Sequence, residues 1–247
     1  MPRIHTLIMP CALAAGLALG ALPPALAQTQ APANAAAAAA DAPAVDLRVT
    51  HYTRSIGQDG VQRETTYSNH VYRRSCQVWI ERELPPAIVA SLAHGHEHAH
   101  GPHAGHAHDE AQGAPLLLQR NAQGQVSVKV VLAEARRVIE VDLAHYGNVG
   151  YGGSWDGAYW IVTPVALRAM TPEGPLRAGV QRYTRTQGEQ TTRVDWDVAG
   201  QYPRRIEQVD AHGTSLYRLT ATRLPGGRQP WTAIADYSRG DYSDLLD

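Results

Sequence analysis

The sequence predicts a mainly β fold, a single antiparallel meander curled into a half-barrel or open barrel with few short helices. Segments that alternate apolar and polar residues recur at roughly ten-residue spacing between residues 46 and 224. Turn sequences such as Gly57–Gly60 and Asn121–Gly124 separate them. The alternation predicts one apolar and one polar face. About nine or ten strands in series must curl, and little helix remains to cover the concave side, so that side can hold an apolar cavity.

The first 27 residues have the pattern of a secretory signal peptide. Arg3 precedes an apolar run, Leu7–Leu22, that is shorter than the about 20 residues of a membrane-spanning helix. The small residues Ala25-Leu26-Ala27 then form a cleavage motif, and we expect cleavage after Ala27. The sequence therefore predicts a periplasmic or secreted protein that is not an integral membrane protein.

Residues 28–45 are rich in alanine and proline, which predicts a flexible linker. Residues 46–247 then have the size of one domain. Loss of residues 1–27 removes one basic and no acidic residue, so the net charge changes from −1 to −2. A chain with this charge is not expected to bind nucleic acid.

The β domain opens with a predicted hairpin, in which residues 46–54 and 61–69 flank the Gly57–Gly60 turn. Residues 70–83 are predicted to form one long strand that ends before Pro85, and residues 87–93 to form one or two helical turns. Cys76, the one cysteine left after cleavage, would lie within that long strand. A buried thiol is therefore favoured there, with a metal ligand or an intermolecular disulfide as alternatives.

The remaining segments continue the meander. Two strands are predicted on either side of the Asn121–Gly124 turn. Residues 165–170 fit either a strand or a helical turn. Further strands are predicted at residues 135–147, 154–164, 176–187, 190–200, 203–213 and 214–224.

Residues 194–224 contain an ordered series of strands and turns. A strand with Trp196 and Asp197 is followed by a turn, Pro203, a strand with Ile206 and an Asp210–Gly213 turn. This order resembles the sheet of the periplasmic LolA/LolB and RseB-like half-barrel superfamily. The resemblance implies a curved antiparallel sheet that binds lipid or acyl groups, or a sensor built on such a sheet. It implies no catalytic residues, and the histidine-rich stretch described next departs from it.

Residues 93–110, AHGHEHAHGPHAGHAHDE, hold seven of the chain's 12 histidines and no aliphatic residue larger than alanine. Such a stretch cannot pack a core, so a disordered loop is predicted at about residues 93–114, between two strands. Neutral imidazole is a good ligand for zinc, copper, nickel or cobalt, and binding should weaken below about pH 6. The candidate ligands of this divalent transition metal are His94, His96, His98, His100, His103, His106 and His108.

Residues 145–160 combine five glycines, three tyrosines and two tryptophans. A wide β-hairpin with aromatic cross-strand pairs is favoured there over a ligand-facing turn or a lid over the mouth of the sheet. The isolated histidines are interpreted as satisfied core or edge residues; they are His51, His70, His145 and His212. A metal site that joins Cys76 to His51 or His70 would require neighbouring strands to bring them together.

Paired arginines occur three times, at residues 73–74, 136–137 and 204–205. On a strand, the two members of such a pair face opposite sides. Solvated faces are the favoured interpretation, and a rim that attracts acidic head groups is the alternative.

Two functions are compatible with these features. The favoured one is a periplasmic metal-binding accessory protein, a buffer or chaperone that serves a metal transporter or a metalloprotein client. The alternative is a half-barrel carrier of a lipid or lipoprotein, or an envelope-stress sensor, in which the histidine loop is incidental. The sequence contains no P-loop and no nucleophile elbow, so we do not expect an enzyme.

Overall fold

The computed structural model describes residues 42–86, 88 and 113–246. The predicted signal peptide, most of the linker, nearly all of residues 87–93 and the seven candidate metal-binding histidines lie outside this part. The strands are β1 (Val45–Ile56), β2 (Gln62–Arg74), β3 (Gln77–Arg82), β4 (Leu116–Arg120), β5 (Val126–Leu132), β6 (Arg137–Val141), β7 (Thr171–Arg177), β8 (Val180–Gln187), β9 (Gln190–Asp197), β10 (Tyr202–Asp210), β11 (Ser215–Arg223) and β12 (Ser238–Asp241). The helices are α1 (Trp155–Trp160) and α2 (Pro164–Arg168), with 3-10 helices at Leu143–Val149, Pro230–Thr232 and Tyr242–Leu245.

All of these strands belong to one sheet, in the order β12-β6-β5-β4-β3-β2-β1-β11-β10-β9-β8-β7. Neighbours are antiparallel except β12, which runs parallel to β6. The edge strands β7 and β12 do not pair with each other, so the sheet is open. This architecture confirms the predicted mainly β fold and the open, curled meander.

The larger apolar core lies on the concave face of the sheet. It includes Leu47, Leu118, Ile139 and Leu219, each at most 2% exposed. Residues 143–170 cross this face, and their side chains contact both halves of the sheet. At one side the Tyr146 hydroxyl donates to a β5 carbonyl; at the other, residues 161–170 face β8–β11. A smaller apolar cluster on the convex face is covered by residues near Ile234.

Residues 155–160 form α1 and Pro164 begins α2, so the strand predicted at residues 154–164 is wrong. Trp155, Tyr159 and Trp160 recur at helical spacing, and all three are buried. The Ser154 hydroxyl accepts a hydrogen bond from the Gly157 N–H at 3.0 Å and caps α1. The wide hairpin predicted at residues 145–160 is therefore also wrong, and the lid alternative describes this segment better. Residues 165–168, left ambiguous by the sequence, lie in α2.

Two turns of the structure were not predicted, because each falls within a segment that was predicted to be one strand. β2 runs on from residue 69 to Arg74, and the chain reverses at Ser75-Cys76 before β3 begins. Cys76 is exposed in this turn, so the buried strand thiol is wrong. The predicted strand at 176–187 is likewise divided by a tight turn at Ala178-Gly179, where φ is 47° and 75°. Positive φ at both turn residues suits the right-handed twist of a hairpin.

Candidate functional site

A cavity of about 500 Å³ lies on the concave side, between residues 161–170 and strands β8–β11. Its floor is apolar: Leu219, Ile206 and Val194 lie opposite one another on three adjacent strands. Its roof is formed by the α1–α2 connection, with Ile161 and Met170 among the lining residues. The volume falls within the range of about 300–1,000 Å³ that is typical of small-molecule sites.

The rim of the cavity is polar. Two residues further along each strand, Tyr217, Gln208, Thr192 and Arg185 lie opposite one another on β11, β10, β9 and β8. Because side chains two residues apart share one face of a strand, this polar row continues the apolar floor towards solvent. The cavity therefore has an apolar inner end and a polar outer end, a distribution that matches an amphiphilic molecule.

The polar row continues onto β1, β2 and β3 through aromatic contacts. His51 Nδ1 and the Tyr217 hydroxyl share a hydrogen bond of 3.0 Å. The His51 ring stacks on Tyr67 at 4.6 Å with an interplanar angle of 13°, and the Arg82 guanidinium lies 4.3 Å from the Tyr67 centroid. Burial, and secondarily the charge of Arg82, lower the pKa of His51 from 6.5, so the imidazole is neutral at pH 7.

Arg73 fixes one end of the segment that covers the concave face. Its guanidinium is 2% exposed and donates four hydrogen bonds of 2.7–3.2 Å to backbone carbonyls. The four oxygens belong to Pro43, Tyr159, Gly200 and Gln201. The same group lies 5.3 Å from the ring centroid of Tyr159 and 5.8 Å from that of Trp160. Burial lowers the pKa of Arg73 to about 10, so the side chain is charged at neutral pH and ties α1 to the sheet.

The paired arginines do not form a free basic rim. Arg73 is buried, against the prediction of solvated faces, and Arg74 pairs with the buried carboxylate of Asp46 at 2.6 Å. The other two pairs lie near carboxylates of their own. Their partners are Asp236 for Arg136, Asp244 for Arg137, Asp197 for Arg204 and Glu207 for Arg205.

The site that would join Cys76 to an isolated histidine does not form. His51 lies six residues along β1 from Val45, the partner of Arg73 near the Cys76 turn, a separation of about 20 Å. His70 instead lies 3.3 Å from a carboxylate oxygen of Glu81. Among residues 42–86, 88 and 113–246 there is no group of three or more His, Cys, Asp or Glu side chains placed to hold a metal ion.

The remaining isolated histidines are not satisfied core residues: within residues 42–86, 88 and 113–246 the buried Nδ1 of His145 has no hydrogen-bond partner, and His212 lies in the β10–β11 turn. The His145 ring stacks on Tyr242 at 4.0 Å, and His212 is exposed and lies 3.7 Å from Glu189.

The polar row of the cavity was not predicted from the sequence, because its residues have the polar pattern of an ordinary solvent-exposed strand face. The sequence pattern that could have revealed it is that Gln208 and Thr192 lie two residues from the buried Ile206 and Val194, and therefore on the same face of their strands.

No protein-family model and no curated protein matches this chain. Several solved structures do match this chain. A LolA superfamily protein from Nitrosomonas europaea is 12% identical over 78% of this chain and 91% of its own, with a TM-score of 0.33. MucB, in the MucA/MucB complex of Pseudomonas aeruginosa, is 12% identical over 76% of this chain and 54% of its own, with a TM-score of 0.35.

A putative outer membrane lipoprotein-sorting protein domain from Vibrio parahaemolyticus is 10% identical over 77% of this chain and 91% of its own, with a TM-score of 0.29. The LolA, LolB and RseB-like group that residues 194–224 resemble thus recurs among the structural neighbours. In the part of the chain that the structure describes, no helix is long and apolar enough to cross a membrane.

Proposed function

We propose that this chain is an envelope carrier or sensor that binds a lipid, or the acyl chain of a lipoprotein, in the concave cavity. The observation that carries the proposal is the cavity itself, with an apolar floor at Val194, Ile206 and Leu219 and a polar rim. Val194, Ile206 and Leu219 are themselves at most 6% exposed, so the apolar surface that gains from binding is chiefly that of the acyl chain, which contacts water in the free ligand. Binding an acyl chain removes that apolar surface from water.

The energetics of such a ligand are favourable. Each buried methylene contributes about 0.8 kcal/mol, so about ten of them contribute about 8 kcal/mol. That sum corresponds to a Kd of about 1 μM before the entropic cost of association is subtracted. A long-chain acyl group is therefore a suitable ligand for this cavity, whereas a short one would bind weakly.

Native mass spectrometry of the purified protein mixed with monopalmitoylglycerol tests the proposal. We expect a one-to-one complex with the unaltered chain. Ala166→Trp places an indole in the cavity lining and should abolish the complex. Val165→Trp is the matched control, because Val165 is 66% exposed on the same helix and does not line the cavity. If Ala166→Trp retains the ligand as well as Val165→Trp does, the cavity is not the binding site.

Metal binding by His94–His108 stays a separate prediction, supported by the histidine density of the sequence. The described residues add nothing to it, and the geometry of the concave face favours the lipid-binding function. Titration of the chain with Zn²⁺, before and after deletion of residues 94–108, tests it. Metal binding that survives the deletion would show that these histidines are not the ligands. Monopalmitoylglycerol binding should be the same in both chains, because the cavity lining lies entirely outside the deletion.

A further inference from the structure

One arginine supplies the positive charge on the cavity rim. Arg185 lines the cavity on β8 and is exposed. Within the described part of the chain, its guanidinium donates no hydrogen bond and forms no ion pair. Arg182, on the opposite face of the same strand, forms an ion pair of 2.6 Å with Asp195. The two arginines share a strand, and only the one on the convex side has a carboxylate partner.

The other described residues that line the cavity with Arg185 carry no charge. Its row partner is Thr192, and the side chains of Gln187, Gln190 and Gln208 complete the rim. These groups supply amide and hydroxyl donors. Among the described residues that line the cavity, none is an aspartate or a glutamate. The rim therefore presents one positive charge and several neutral donors, a set of groups suited to binding an oxyanion.

The apolar floor and the cationic rim lie in a fixed order. Arg185 and Thr192 are separated from the floor residue Val194 by one step of two residues along the strands. That step is about 7 Å along the strands. A ligand whose tail covers Val194 therefore brings its head group to Arg185.

We propose that the cavity selects an amphiphile with an anionic head group, and that Arg185 is the residue that recognises the negative charge. This inference rests on the proposed function, since it assigns the head group of the ligand whose tail occupies the cavity. A carboxylate and a phosphate share the required chemistry, because both accept hydrogen bonds from a guanidinium in bidentate geometry.

Three ligands with the same palmitoyl chain test this: palmitate, palmitoyl lysophosphatidate and neutral monopalmitoylglycerol. Affinities are measured by displacement of a dansylated fatty acid from the purified protein. We expect both anions to bind at least about tenfold more tightly than the neutral ligand. The stronger of the two anions identifies carboxylate or phosphate as the preferred group.

Arg185→Gln should remove the preference, lowering the affinity for both anions about tenfold and leaving that for monopalmitoylglycerol unchanged. Arg193→Gln is the matched control, since Arg193 is exposed on the opposite face of β9 and its loss changes the net charge equally. Equal affinity for the three ligands, or equal effects of the two variants, overturns the inference but leaves lipid binding intact. Failure of all three ligands to bind overturns the proposed function and this inference together.

Discussion

Replacing Arg73 with methionine should destabilise the domain by about 3–5 kcal/mol. Four hydrogen bonds join its guanidinium to backbone carbonyls, and a bond to a charged donor is worth about 1.5–3 kcal/mol. The four bonds share one guanidinium and are not additive, so the expected loss lies below their sum of about 6–12 kcal/mol, at about 3–5 kcal/mol. Methionine fills much of the volume but leaves the carbonyls without donors.

Urea denaturation monitored by tryptophan fluorescence gives this quantity directly, because the buried Trp155 and Trp160 lie in the affected region. In a thermal scan the same loss lowers Tm by about 6–20 °C, at about 2–4 °C per kcal/mol for a domain of this size. Arg73→Lys should fall between the parent and Arg73→Met, since an ammonium has donors for some of the carbonyls but lacks the planar fork.

Arg48→Met is the control for the Arg73 experiment. Arg48 lies on β1 with an exposed side chain and pairs with Glu83 at 2.6 Å, an arrangement worth about 0–1 kcal/mol. If Arg73→Met costs no more than Arg48→Met, the buried guanidinium does not hold α1 against the sheet, and the reasoning is refuted.

Three further predictions concern single residues. Because the pKa of His51 is lowered in the folded state, the unfolded state binds more protons below pH 6.5, so the free energy of unfolding should fall as the pH falls from about 6.5 to the folded pKa. His51→Gln should flatten that part of a plot of urea midpoint against pH, and an unchanged slope in the variant would contradict this prediction. Trp160→Ala should cost about 3–5 kcal/mol in urea, and a loss below about 1 kcal/mol would show that α1 is not packed as described. Cys76 should react with Ellman's reagent in the folded protein as fast as a model thiol, whereas protection until unfolding would place it in the core.

The sequence predicted the sheet well because its signal is local. Period-2 alternation in segments such as 203–213 and 214–224 fixes which side chains share a face; β11 lies within those bounds, and β10 begins one residue before them, at Tyr202. The turn at Ser75-Cys76 was missed because a single serine, with no glycine, proline, asparagine or aspartate beside it, is a weak turn signal.

The helices and the cavity were harder to predict for a different reason. The aromatic residues Trp155, Tyr159 and Trp160 have a spacing that suits a helix. A six-residue helix is nevertheless stable only through its packing on the sheet, which no local sequence pattern reveals. The rim of the cavity depends on the register of four strands, from Tyr217 to Arg185. Arg73 was misread for the same reason, since its carbonyl partners are up to 128 residues away in sequence.

Photo-crosslinking tests most directly whether the concave cavity binds an acyl chain. The purified protein is irradiated with a palmitate analogue that carries a diazirine on the chain, and the modified peptides are identified by mass spectrometry. We predict adducts on residues 161–170 and on the floor residues Val194, Ile206 and Leu219, and their loss when unlabelled palmitate competes or when Ala166 is replaced by tryptophan. Adducts confined to the convex face, or adducts that excess palmitate does not reduce, would contradict a lipid site in this cavity.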